Sequence, residues 1–384
     1  MDLYLLDDKY VRQEIIEGYE SLIWTERYSE VGEIELVIDP SLVPTNMVAG
    51  SLLAMSESQR IMQVLTSEKK VDGEGADRLT FTGPEITDIL KSRSNNNAFS
   101  TGAVVTLRSM NGTPSEICAG LFQSALRIPA ITEDTLYGCV GTTLNSPGGL
   151  SLPGDVITVE LGVASTYDSI KNLCDMYNMG FRIVHDKTEA SPSLHFETYM
   201  GTNRTSGQSV VPAVVFSSAL SNLSDTTELR SMANLKTVAY VVGDIRTAIV
   251  YAPGYDNTFT GINRRVLIVD ATDIPNGTTA QLQQRGLEAL AENRVIIGFD
   301  GQIPKDVSYI YGKDYFLGDI VEQQSESGVV ETLRVTEQIF VSDSEGERSY
   351  PTLTVDSIIT PGTWAAWGTD VAWPAIGEET WSEA

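Results

Sequence analysis

The sequence predicts a β-rich, mixed α+β fold in which two related β modules flank an inserted α/β segment. Three observations predict it. Alternating apolar and polar residues fill positions 1–90 and return after Val210. Helical spacing gathers in the stretch between Thr113 and Met179. A glycine-opened strand–turn–strand pattern occurs twice, starting at Gly50 (GSLLAMSESQRIMQVLTSEKKVDGEGADRLTF) and at Gly318 (GDIVEQQSESGVVETLRVTEQIFVSDSEGERSYPTLTV). In both, the Gly precedes an apolar pair and a Ser-Glu-Ser turn, Ser56–Ser58 or Ser325–Ser327. An apolar-rich strand then reaches Thr66 and Glu68, or Thr336 and Glu337, before an acidic-Gly turn and a closing Leu-Thr. Ser56 to Glu68 and Ser325 to Glu337 each span 12 residues. Internal self-similarity of this kind points to repeated architecture. Duplication and a chance likeness of two acidic hairpins both account for it.

In chain order, residues 1–91 read as the first β module. LYLLDD, EIIEGYESLIWTERYSE and GEIELVIDP alternate as strands do, with Ile34, Leu36 and Ile38 on one face and Glu33, Glu35 and Val37 on the other. PEITDILKSR reads as a short helix, with Pro84 in its first turn and Glu85 favourable to its dipole. The polar run Ser94–Thr101 marks a boundary, and residues 92–210 read as the α/β insert. Its helices start at Thr113-Pro114-Ser115-Glu116 and span Ser165–Met179, with Gly180 as a stop. Strands FRIVHD and SLHFETYMG follow.

Residues 211–355 return to strands (VVPAVVF, LKTVAYVVGD, TAIVYAPG, RRVLIVDA) with one helix near 279–294, then the second hairpin copy. Residues 356–384 hold four of the five tryptophans, Trp364, Trp367, Trp373 and Trp381, among Gly, Pro and acids. That stretch has no helix or strand period and cannot make a core of its own. Its aromatic groups are expected to dock on a surface, of the same subunit or of a neighbour.

A chain of 384 residues exceeds the ~250–300 at which one core stops growing, so several domains are expected. The formal charge of −26 opposes Lys/Arg-driven gripping of nucleic acid. A conduit past which DNA slides, or plain solubility, suits that charge. The start lacks a basic region followed by an apolar core, so no signal peptide is expected, and no apolar run reaches the ~20 residues that span a bilayer. A soluble protein made in a cytoplasm is the expectation. Cys118 and Cys174 fall in apolar helical patterns and read as buried hydrophobes; Cys139 completes three cysteines without a CxxC pair.

Residue patterns that carry chemistry are few. His185 and His195, with Asp186 or Glu197, have no established ligand spacing and read as a solvated sheet edge. GxSxG, HExxH, Walker-type and GxGxxG motifs do not occur. The Gly/Pro-rich run from Ser146 has no following Lys and reads as a loop. Carboxylates are too many for a glycosidase pair to be chosen by position. Arg264 and Arg265 read as an interior salt-bridge anchor or a subunit contact. No catalytic, metal or cofactor site is expected.

Taken in order, several stretches resemble the tail-tip (baseplate) hub proteins of long-tailed bacteriophages, the siphovirus minor tail proteins typical of actinobacterial phages. They are WTERYSEVGEIELVI, GPEITDILKSR, YDSIKNLCDMYNMGFRI, YMGTNRT, VFSSALSNL, GINRR, YGKDYFLGDIVE, VTEQ and the Pro-Thr-Leu from Pro351, together spanning roughly 20–355. They place Trp24, Arg27, Gly32, Gly83, Arg93, Gly201, Arg204, Gly312, Asp314, Gly318 and Asp319 at positions of the family pattern. Asn203 departs from the Asp expected in the G-x-D-R element, which puts a salt bridge to a neighbouring arginine in doubt.

The resemblance implies two related β-barrel-like hub domains in each chain and a ring-shaped homotrimer at the virion tail tip. The distal tail protein or tail tube would sit above it, and fibres or receptor-binding tip proteins below. A tape measure protein is a further expected neighbour; specific nucleic-acid binding and stable membrane insertion are not expected. The Trp-rich tail and the polar loop Asn95–Ser100 also suit a receptor-binding adhesin, and the carboxylates a cell-wall hydrolase.

Overall fold

A computed structural model describes residues 1–71, 77–96, 107–144, 150–187, 192–217, 220–222, 224–274, 276–293, 296–302, 309–324 and 330–355. The first of these form β1 (Leu3–Leu6), β2 (Arg12–Ile16), β3 (Ser21–Arg27), β4 (Glu33–Ile38), β5 (Leu52–Met55), β6 (Ile61–Gln63), β7 (Thr66–Val71) and β8 (Asp77–Pro84). Strand order β2-β1-β5-β6 makes one antiparallel sheet, while β3, β4, β8 and β7 meander in another. Leu3, Leu5 and Met55 of the first sheet meet Trp24, Leu36 and Phe81 of the second in one core. The alternation of β4 places Ile34, Leu36 and Ile38 inward, as the sequence predicts. PEITDILKSR behaves differently: Pro84 closes β8, and only a 3₁₀ segment, Ile86–Ser92, follows with Glu85 as its N-cap.

The next stretch adds β9 (Arg108–Gly112), α1 (Pro114–Phe122), β10 (Cys139–Leu144), β11 (Ile157–Leu161), α2 (Thr166–Tyr177), β12 (Gly180–Asp186) and β13 (Ser193–Tyr199). Thr113 and Glu116 form a reciprocal capping box that starts α1. Ser165 caps α2 by accepting from the Asp168 N–H. The helix ends at Asn178, left-handed at φ 57°, rather than at Gly180, which opens β12. Both helices pack on the β10-β13-β12 sheet, where Phe122 stacks on Phe196 at 4.7 Å. Cys118 and Cys174 are buried in that core.

The remainder comprises β14 (Val215–Ser217), β15 (Ser224–Ser231), β16 (Val238–Gly243), β17 (Thr247–Tyr251), β18 (Val266–Ala271), α3 (Thr279–Ala291), β19 (Ile296–Gln302), β20 (Ile320–Gln324), β21 (Val330–Asp343) and β22 (Gly346–Val355). Strands β15-β19-β22-β21-β3-β4-β8-β7 run as one sheet, with β20 and β14 branching from β21. The seam is β3 against β21, antiparallel, with Trp24 opposite Phe340. No sheet closes into a barrel among the described residues. Strands β17-β16-β18 form a separate small sheet packed on α3 around Ala239, Val241, Val250 and Leu282.

The two glycine hairpins share their opening hydrogen bonds. Gly50 (φ 99°) donates to the Val64 carbonyl at 2.7 Å, and the Val64 N–H returns a bond to Ser51 at 2.9 Å. Gly318 (φ 87°) donates to the Val335 carbonyl at 2.7 Å, and the Val335 N–H returns one to Asp319 at 2.9 Å. Leu52 pairs with Gln63 as Ile320 pairs with Arg334. The register differs from the one the sequence suggests. Val64 matches Val335, so Glu68 and Glu337 are not equivalents: 14 positions separate Gly50 from Val64 but 17 separate Gly318 from Val335, because the second hairpin has longer arms. Leu79 pairs with Lys69 whereas Leu353 pairs with Val335, so the closing Leu-Thr pairs are not equivalent either. The turn Ser325–Ser327 lies outside the described residues.

Candidate functional site

Three parts of the chain meet at Tyr28, the residue after β3. Its N–H donates to the Thr336 carbonyl at 2.8 Å, and its own carbonyl accepts from Phe181 at 3.1 Å. Its hydroxyl lies 3.0 Å from the Asn178 carbonyl and 3.2 Å from that of Tyr199. The Tyr28 ring meets Tyr199 edge-on at 5.2 Å. Arg334, buried in β21, sets its guanidinium 5.2 Å from the Tyr28 ring and donates to the Gly318 carbonyl at 2.6 Å. One tyrosine thus ties together β3, the α2–β12–β13 region and the second hairpin.

Glycines make room for this joint. A β-carbon at Gly180 would lie 2.3 Å from the Tyr28 ring, and one at Gly318 would lie 2.4 Å from it. Gly201 crosses Gly318 backbone to backbone. Next to that crossing, Asp319 accepts from the Thr202 N–H at 2.7 Å, the Phe316 N–H at 3.0 Å and Arg204 Nε at 2.5 Å. Burial pushes the Asp319 carboxyl up, and these donors pull against it. Arg204 therefore finds its acid 115 positions away, and the Asn203 departure does not cost it a salt bridge. Asn203 instead accepts from the Thr205 N–H at 3.0 Å.

A second buried polar group lies beside it. Arg60 and Glu85, both at most 1% exposed, pair at 2.7 Å, and Thr87 donates to the same carboxylate. Glu26 accepts from Trp24 Nε1 at 3.3 Å, from Tyr311 at 3.1 Å and from Ser58. Burial raises the Tyr311 and Tyr199 phenols, so both stay neutral; Tyr311 donates to Glu26, and the buried Tyr199 hydroxyl has no hydrogen-bond partner among the described residues. These carboxylates are occupied by donors rather than turned toward a cavity. A cleft of about 930 Å³ lies elsewhere, lined by Glu160, Asp168, Asp273, Arg285 and Glu288 among others, and Asp273 is held by Arg285 at 3.0 Å.

The other family-pattern positions have structural work nearby. Trp24 is fully buried. Arg27 bridges the β3–β21 seam, reaching Glu337 at 2.7 Å and Glu33 at 2.6 Å. Gly32 and Gly83 pass against the Thr25 and Gln63 carbonyls, where a β-carbon would come within 2.3 and 1.8 Å. The Arg93 carbonyl accepts from Thr166 at 2.7 Å. Gly312 (φ 82°) and Asp314 close the turn before the second hairpin, Asp314 accepting from Ile310 at 2.8 Å.

Arg264 and Arg265 do not anchor an interior salt bridge. Both are half-exposed; Arg264 lies over Tyr240 and Tyr251, and Arg265 donates to the Met232 carbonyl. Trp364, Trp367, Trp373 and Trp381 lie outside the described residues. Nor are His195 and Glu197 on a sheet edge: β10 joins in parallel, so β13 is the central strand, and buried Glu197 pairs with Arg182 at 2.9 Å. No cluster of three or more His, Cys, Asp or Glu suited to a metal occurs among the described residues. No helix among them is long and apolar enough to cross a membrane. Sequence reasoning missed the roles of Tyr28, Gly180, Arg60, Glu85 and Arg334; the stretches that resemble the family pattern contain Tyr28, Glu85 and Gly180, and nothing pointed to Arg60 or Arg334.

The model of the siphovirus ReqiPepy6 Gp37-like protein family matches residues 2–353. The chain belongs to that family. Solved structures share the fold of this Gp37-like protein. The tail protein from Neisseria meningitidis MC58 is 12% identical, with a TM-score of 0.54, and the match covers 93% of this chain and 96% of that one. The 43 kDa tail protein of prophage MuSo2 from Shewanella oneidensis is 13% identical, with a TM-score of 0.53 and coverage of 92% and 98%. Prophage tail protein gp18 from Listeria monocytogenes EGD-e is 13% identical, with a TM-score of 0.50 and coverage of 95% and 97%. No curated protein matches the sequence. The Gp37-like chain thus has a phage-tail fold, and its buried joint is structural in composition.

Proposed function

We propose that this protein is the trimeric hub of the siphovirus tail tip. In this reading each chain carries two related β domains, the first around residues 1–91 and the second within 211–355, with 92–210 inserted. It joins the six-fold tail tube or distal tail ring to fibres or tip proteins, borders the tape measure protein, and lines part of the DNA-ejection channel. The observation that carries the reading is the repeated hairpin, Gly50–Val64 and Gly318–Val335, with the same two backbone bonds. Three chains in a ring present six such units, which lets a three-fold object seat on a six-fold one. A formal charge of −26 suits a channel wall that repels passing phosphates within the ~8–10 Å left by salt screening.

Electron microscopy of intact virions tests this directly. Three copies of the chain in a ring at the end of the tail tube are expected. Copies along the shaft or in the capsid would overturn the reading.

A further inference from the structure

The face of the small sheet turned away from α3 is apolar and open. Register aligns Ile249, Tyr240 and Ile268 across β17, β16 and β18, and they are 57%, 37% and 76% exposed. Val242, next along that face of β16, is 41% exposed. The alternate residues Ala239, Val241, Val250 and Val269 belong to the core shared with α3, so the fold itself leaves the outer row without a partner. Arg264 sets its guanidinium 5.8 Å from the Tyr240 ring and 5.5 Å from that of Tyr251. Among the described residues it pairs with no carboxylate, although exposed Asp244 and Asp270 border the face. An apolar row beside an uncompensated cation calls for an occupant that is both aromatic and acidic.

The chain carries such a segment and delivers it to this place. Thr354 pairs with Gly298 on β19, and Ile296 pairs with Ser231 on β15. Val355, the last residue of β22, therefore ends one register position from where the chain enters and leaves the small-sheet unit. Residues 356–384 contain four tryptophans, five Asp or Glu and no Lys or Arg. At ~3.3 Å per extended residue that segment reaches tens of ångströms, far more than the small sheet requires.

We propose that the Trp-rich segment 356–384 covers the open face of the β17-β16-β18 sheet, with an indole seated on the Arg264–Tyr240 platform. Tryptophan is the best partner for a guanidinium above a ring, and each buried indole removes a large apolar area from water. The inference stands on strand register and charge and does not depend on the hub reading.

Full-length protein with a photo-crosslinking phenylalanine derivative at Ile268 or Ile249 tests it. Crosslinked peptides from 356–384 are expected, and mixing isotope-labelled with unlabelled chains tells whether the segment comes from the same chain or a neighbour; either supports the proposal. Crosslinks only to 238–271 of a second chain, or no peptide crosslink, would overturn it. Acrylamide quenching is the second measurement: I249K/I268K should raise the quenching constant of the tail indoles roughly two-fold as they return to water. Quenching unchanged from the parent would count against the idea. Should that double variant misfold, W364S/W367S/W373S/W381S supplies the check. It should reduce the Ile268 crosslink to 356–384 several-fold, and an undiminished yield would overturn the role given to the indoles.

Discussion

Gly201 and Gly318 cross so closely that a β-carbon on Gly201 would lie 1.9 Å from the Gly318 carbonyl carbon. The contact brings residues 117 positions apart into backbone touch and sets the spacing between the chain just after β13 and the second hairpin. Gly201→Ala should therefore cost about 3 kcal/mol or more, since backbone and not a movable side chain is in the way. Gly50 is the control: its φ of 99° is strained for any other residue, but a β-carbon there meets nothing within 4 Å. Gly50→Ala should cost only about 1–2 kcal/mol. Urea unfolding of the two variants checks the contrast, and equal losses would refute it.

Arg60 and Glu85 are buried as a pair, so removing one leaves an uncompensated charge. Glu85→Gln should destabilise by about 3–5 kcal/mol. The double change Arg60→Met with Glu85→Leu should recover most of that loss, because both desolvation costs disappear together. Arg27, which is a quarter exposed at the β3–β21 seam, should behave differently: Arg27→Ala is expected to cost only about 1 kcal/mol, and less at high salt.

Tyr28→Phe keeps the ring between Gly180 and Gly318 but removes the hydroxyl that meets the Asn178 and Tyr199 carbonyls. A loss of about 1–2 kcal/mol is expected. Tyr28→Ala also empties the space both glycines surround, and about 3–5 kcal/mol is expected. Thermal unfolding separates the two; near-equal losses would mean the ring contributes little.

His185 is buried with neither ring nitrogen hydrogen-bonded among the described residues. Burial, and then the charge of Lys187, pull its pKa down to about 4 from 6.5. The unfolded chain therefore takes up a proton that the folded chain refuses. Its contribution is fully present above about pH 6.5 and is lost as pH falls toward 4. Allowing for screening, the loss is about 2 kcal/mol. His185→Phe should reduce the fall in unfolding free energy between pH 7 and pH 4.5 by that amount, read by urea unfolding at each pH, and an unchanged pH profile would exclude His185 as its source.

The parts of this fold written in short stretches were legible. β4 follows its alternation, α1 starts at Thr113 through Glu116, α2 follows its apolar spacing although it stops at Asn178 and not at Gly180, and α3 falls in the helical stretch near 279–294. What escaped depends on partners far along the chain. β10 and β19 acquire their strand character by pairing with β13, β15 and β22, and little in their own residues announces it. Glu85 looked like a residue suited to a helix start; its burial follows only from Arg60, 25 positions earlier. The hairpin likeness was visible, yet its register was not, because the second copy runs three residues further between its glycine and the paired valine, a difference in arm length that composition does not announce. Tyr28 looked like one more strand aromatic, and the glycines that converge on it lie 152 and 290 positions beyond it.

The pairing of β3 with β21 has a consequence during synthesis. Trp24 faces Phe340 across the seam, 316 residues later in the chain. At ~5–20 residues per second, a ribosome needs roughly 16–60 s to deliver β21 after β3 has emerged. Throughout that interval the N-terminal strands carry an unsatisfied edge on one of their most apolar strands, a template for association with other nascent copies. Chaperone demand and aggregation should therefore peak for chains halted before residue 330, and fall once β21 closes the sheet.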